Sequence, residues 1–103
     1  MEFQTKGPLK DNIYNLMRRI GYRFWGKNET TGESNFIRSL DAKDSYPRFH
    51  LYLKQEDGGD LLFNLHLDQK RAIYKGVSAH SGEYEGELVE KEEERIEKII
   101  NGD

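Results

Sequence analysis

The sequence predicts an α+β fold: an antiparallel sheet of about five strands in the order α-β-β-β-β-β-α, with N- and C-terminal helices packed on one face. Three observations carry this. Apolar residues near both ends recur at helical spacing, the middle of the chain alternates with a period of two, and glycine-rich turns punctuate the alternation. At 103 residues the chain has the length of one domain, residues 1–103, with residues 1–8 read as a disordered lead.

Leu9, Ile13, Leu16, Met17 and Ile20 draw one stripe along a helix over residues 9–20, with Pro8 suited to its first turn and Gly21 to its C-terminal cap. Tyr22 to Trp25 and Ser34 to Leu40 read as a hairpin across a polar turn containing Gly32. Arg48 to Gln55 and Asp60 to Gln69 form the clearest pair, around Glu56-Asp57-Gly58-Gly59. Ala72 to Ala79 is a fifth strand, and Gly82 and Gly86 break the chain. From Glu87, the residues Leu88 or Val89, Ile96, Ile99 and Ile100 recur at helical spacing and give a second helix ending near Asn101-Gly102.

The central hairpin specifies its own register. Phe49, Leu51 and Leu53 hold one face of the first strand; Leu61, Phe63, Leu65 and Leu67 hold one face of the second. Directly opposed residues share a face, so partner numbers must sum to an even value if both apolar sets meet one core. A two-residue Gly58-Gly59 loop breaks that rule and buries His50 beside Leu67. The expectation is therefore a three-residue loop, Asp57-Gly58-Gly59, with Gly59 left-handed.

Composition excludes several chemistries. There are no cysteines, which removes disulfides, thiolate metal sites and Cys nucleophiles and fits a cytoplasmic protein. No apolar run approaches the roughly 20 residues that span a bilayer, and no signal peptide is visible, so no membrane partner is expected. Gly58-Gly59 lacks the pattern of a phosphate loop. Charge is uneven: residues 1–82 carry 13 Lys and Arg against 10 Asp and Glu, whereas residues 83–103 carry 3 against 9. The acidic tail reads as a solvated helix or as a cover over a basic surface.

The parity argument also places the candidate site. His50, Tyr52, Asn64, His66 and Asp68 fall on the face opposite the core, and His50 stands directly across from His66, with side-chain bases about 5 Å apart. Two imidazoles at that spacing could grip one divalent metal, Mn²⁺ or Zn²⁺, with Asp68 adding an oxygen or orienting a ring. They could equally form a general acid and base pair, or simply decorate a solvated or helix-covered face. His80 and Glu83 lie on a Gly-punctuated loop suited to binding. With Ala72 to Ala79 as a strand, His80 falls roughly 20 Å from His66, so a three-histidine site needs the chain to double back near Gly76. Basic residues interleave with aromatics around Arg18 to Lys27, but a pI near 5.6 is far from the footprint of a dedicated nucleic-acid binder. Trp25 and Tyr22 read as core or edge residues. The chain is expected to be a monomer or small homo-oligomer.

The segments Y-P-R-F-H-L-Y-L-K (46–54), N-L-H-L-D-Q-K (64–70) and A-H-S-G-E-Y-E-G (79–86) resemble a group of short prokaryotic proteins of unknown function across about residues 13–96; that likeness implies no activity. R-F-H-L-Y-L-K followed by D-G-G-D-L-L, and H-S-G-E-Y, resemble in patches the phosphoesterase domain of ligase-D-type bacterial DNA ligases, a compact metal-dependent β-barrel enzyme that trims 3′ ends. The resemblance implies a metal-dependent phosphoesterase acting on nucleic-acid ends, with His50, His66, Asp68 and His80 at the metal. Matching His50 and His80 to the family's histidines puts Tyr52 where the family has aspartate. Matching His66 and Asp68 instead restores the carboxylate but leaves His80 too close in sequence. The first expectation is a small soluble binding module using the His50, Tyr52, His66 and Asp68 face and the His80 loop; the phosphoesterase is the alternative.

Overall fold

In chain order the elements are β1 (Glu2–Thr5), α1 (Ile13–Ile20), β2 (Arg23–Lys27), β3 (Ser34–Ser39), β4 (Arg48–Gln55), β5 (Leu61–Asp68) and α2 (Ser78–Ile100). They come from a computed structural model that describes residues 1–7, 11–41, 43, 46–69 and 78–102, with the backbone alone for 78–85. The five strands form one antiparallel sheet in the order β1-β5-β4-β3-β2. The α+β class, the five strands and the two helices are as expected, but the chain order is not: a strand precedes the first helix.

Strand β1 lies within the segment read as disordered. Its two inward side chains explain it: Phe3 stacks on Phe63 at 4.8 Å between ring centroids, and Thr5 is buried. Glu2 to Thr5 pair with Asn64 to Leu61 along the free edge of β5. The expected strand over residues 72–79 lies outside the described residues up to 77, and Ser78 and Ala79 belong to α2.

Asn12 starts α1 later than the apolar stripe suggests. Its backbone is extended and its side-chain oxygen accepts the Asn15 N–H at 2.8 Å, the N-cap geometry that Asn favours. Gly21 closes the helix at φ 105°. The β2–β3 turn closes through the Asn28 N–H to the Glu33 carbonyl, and β2 carries a bulge between Phe24 and Gly26.

The central register follows the parity rule. His50 pairs with His66, Leu51 with Leu65 and Tyr52 with Asn64. Glu56 N–H donates to the Asp60 carbonyl at 2.7 Å around Asp57-Gly58-Gly59, which makes one 3₁₀ turn with positive φ at both glycines, 87° and 93°. Gly7 packs against this turn, its N–H donating to Asp60 Oδ1 at 2.9 Å.

Both helices cover the odd-numbered face of β4 and β5. Leu16, Met17 and Ile20 of α1 and Ile96 of α2 are buried in one cluster with Phe36, Phe49, Leu51, Leu53, Leu61, Phe63 and Leu65. A polar tie locks α2 to the sheet: Tyr22 Oη donates to Glu92 Oε2 at 2.6 Å, Arg95 grips both carboxylate oxygens at 2.8 and 2.9 Å, and Arg38 approaches Oε1 at 3.3 Å. Burial, then the Glu92 charge and hydrogen bond, drives the Tyr22 phenol far above its ordinary value, so it stays a donor. The idea that the acidic C-terminal helix covers the even-numbered face is therefore overturned, because its apolar stripe leads it to the leucines.

Candidate functional site

On the open face the side chains stand in cross-strand rows. One row runs Arg23, Ile37, His50, His66 from β2 to β5; the next runs Asn35, Tyr52, Asn64, Glu2 from β3 to β1. A third row holds Ser39, Arg48 and Asp68. Ile37 is fully buried here although no helix among the described residues packs over it, flanked in its row by Arg23 and His50.

Asp68 organises one end of the face. Its Oδ2 lies 3.1 Å from His50 Nδ1 and 3.5 Å from Arg48 Nε. The Arg48 guanidinium in turn sits between two rings, 4.5 Å from the Tyr46 centroid and 5.5 Å from that of Trp25. Arg23 approaches the same indole at 5.9 Å. Alternation from Arg23 puts Trp25, 57% exposed, on the face with the two arginines.

The imidazoles are tied together through Tyr52. His50 stacks on the Tyr52 ring at 4.5 Å and 19°, and His66 meets the same ring edge-on at 5.8 Å and 79°. His50 Nε2 and Asn35 Oδ1 are buried without a hydrogen-bond partner among the described residues. His66 is the accessible imidazole. Partial desolvation of its ring, followed by the positive amino terminus at Met1, lowers it from its ordinary value, with Asp68 opposing and His50 adding to the shift.

His50, His66 and Asp68 share the face, but no three His, Asp or Glu side chains among the described residues are arranged to hold a metal ion. Asp68 is committed to His50 and Arg48, which positions a ring rather than offering a free carboxylate. Tyr52 and Asn64 are where the parity rule places them, half-buried in one row. His80 and Glu83 belong to α2 rather than to a loop, and their side chains lie outside the described residues.

Arg23, Trp25 and Arg48 entered the sequence expectation only within a pattern of basic residues interleaved with aromatics, and Tyr46 was given no role there. The signal was present in Tyr22-Arg23-Phe24-Trp25, whose alternation sends Tyr22 to the core and Arg23 to the opposite face. The same alternation places Trp25 beside Arg23, and the bulge shifts only the residues from Gly26 on by one step against β3. Beside the face, a cavity of about 400 Å³ opens at the β5–α2 seam, lined by Met1, Leu65, His66, Leu67, Gly86, Val89 and Glu90.

No family model, curated protein or solved structure gives a match to this chain. The class that fold and site define is a small α+β protein with one sheet face covered by both helices and the other, among the described residues, carrying exposed side chains at Arg23, Trp25, Lys54 and His66. No helix among the described residues is long and apolar enough to cross a membrane.

Proposed function

We propose that the chain is a small binding module that takes its ligand on the even-numbered face of the sheet. One observation carries the reading. Both helices spend their apolar stripes on the odd-numbered leucines and phenylalanines, and the opposite face keeps exposed or half-exposed rings at Trp25, Tyr52 and His66. A polar face opposite a core is ordinary for an antiparallel sheet, but an exposed indole beside two arginines is not an ordinary solvated surface. Tyr52, Asn64 and His66 supply contact groups, and Asp68 holds His50 and Arg48 in place.

The test is a screen of small aromatic and anionic molecules read by amide and ring-proton NMR shifts. The reading expects responses gathered on Arg23, Trp25, Tyr52, Asn64 and His66. Responses confined to the seam residues Met1, Gly86, Val89 and Glu90, or none at any position, contradict it. The phosphoesterase alternative requires His50 to exchange Asp68 for a metal. One equivalent of Zn²⁺ is expected to leave the His50 ring signals in place, and a shift there together with the His66 ring would restore that alternative.

A further inference from the structure

We infer that the occupant of this face is a single-stranded nucleic acid, its bases stacked on Trp25, Tyr52 and His66 and its phosphates held by Arg23 and Lys54; this rests on the binding-face reading above. The rings stand on β2, β4 and β5. Three strand spacings separate the outer two, about 14 Å, which leaves room for a short run of splayed bases crossing the strands. Arg23 lies in the row on one side of Tyr52, and Lys54 lies two residues beyond Tyr52 on the other. Rings flanked by cations on an open sheet match a chain of planar π-faces joined by anions, and a duplex would hide those π-faces.

The acidic average charge does not argue against this, because the charge is segregated by face. Helix α2 carries eight carboxylates against three cations and packs on the opposite side of the sheet. On the open face Asp68 is already paired with Arg48 and His50, and Glu2 stands on the far edge strand β1. Around Trp25 and Tyr52 an incoming phosphate chain therefore meets Arg23 and Lys54, whereas at the β5 end Glu2 pairs across from Asn64 and Glu90 lines the cavity with His66.

The experiment uses the full chain and the emission of Trp25, its single tryptophan. Oligothymidylate and oligouridylate of about ten nucleotides are expected to quench that emission saturably. The dissociation constant should rise about tenfold between roughly 50 and 200 mM salt, as two or three phosphate contacts require. In anisotropy titrations with labelled oligonucleotides, Trp25→Ala should weaken binding by about tenfold, and Arg23→Gln and Lys54→Gln each by about threefold. All three side chains are exposed, so an unchanged amide spectrum elsewhere certifies the fold. Stronger binding of either sugar type supports the inference and names the preferred strand. Absence of quenching by both oligonucleotides overturns it, as does equal binding of inorganic polyphosphate or duplex, or full affinity in Trp25→Ala. If oligonucleotides fail while small aromatic molecules still shift the face, only the nucleic acid is removed; if neither produces a response there, the binding-face reading falls too.

Discussion

Asp68 decides what His50 can do. With one carboxylate oxygen on Nδ1, the ring is oriented and its other nitrogen is buried without a hydrogen-bond partner among the described residues. Asp68→Asn should move the His50 ring signals and cost about 1 kcal/mol in a denaturant melt, the partly exposed range for such a bond. His66 behaves differently. Its lowered value means the fold prefers the neutral ring, so the stability it contributes is present above pH 6.5 and is lost as pH falls through the folded value. An NMR titration should place the His66 midpoint below 6.5; a midpoint above it would contradict the partly desolvated ring. Tyr22 gives the opposite sign. Its raised value contributes stability fully below the ordinary tyrosine value of about 10 and loses it progressively as pH rises beyond that. Tyr22→Phe should cost about 1–2 kcal/mol near neutral pH and flatten the alkaline limb of a stability profile. At this scale the sequence was legible where alternation was strict, as at His50, Tyr52 and His66. It was not legible at Glu92, whose helical neighbour Arg95 hides its reach to Tyr22 and Arg38.

The elements were legible in proportion to the length of their pattern. The β4–β5 register was derivable because seven odd-numbered apolar residues leave one parity that turns them all to the core, six buried and Leu67 half-buried. Strand β1 was not, since a four-residue strand with one aromatic has too little pattern to stand alone and is held by Phe63. Helix α2 extends through Gly82 and Gly86, where glycine suggested a break, because a helix tolerates glycine at about 1 kcal/mol when packing elsewhere along it is strong. Two glycines make the contrast testable. A Cβ at Gly86 meets no atom within 4 Å, so Gly86→Ala should raise stability by about 0.5–1 kcal/mol in thermal or denaturant melts. A Cβ at Gly7 would collide with the backbone carbonyl of Gly59, so Gly7→Ala should destabilise by about 1–3 kcal/mol and disturb the β4–β5 turn in the amide spectrum.

Across the whole molecule, one division organises everything. Leucines, phenylalanines and both helices occupy one side of a five-stranded sheet, and rings, imidazoles and arginines occupy the other. The charge imbalance along the sequence becomes a charge imbalance across the sheet, with the acidic helix behind it. The central claim is that the Trp25 and His66 rings of the imidazole face stand exposed to solvent, although Ile37 on the same face is buried. A neutral gadolinium chelate dissolved with the protein measures this by broadening the proton signals it can approach. Strong broadening of the Trp25 indole and His66 ring protons, with Leu51 and Leu65 methyls spared, is the result expected. Equal protection of Trp25, Tyr52 and His66 with those leucines would mean the face is covered and the account is wrong.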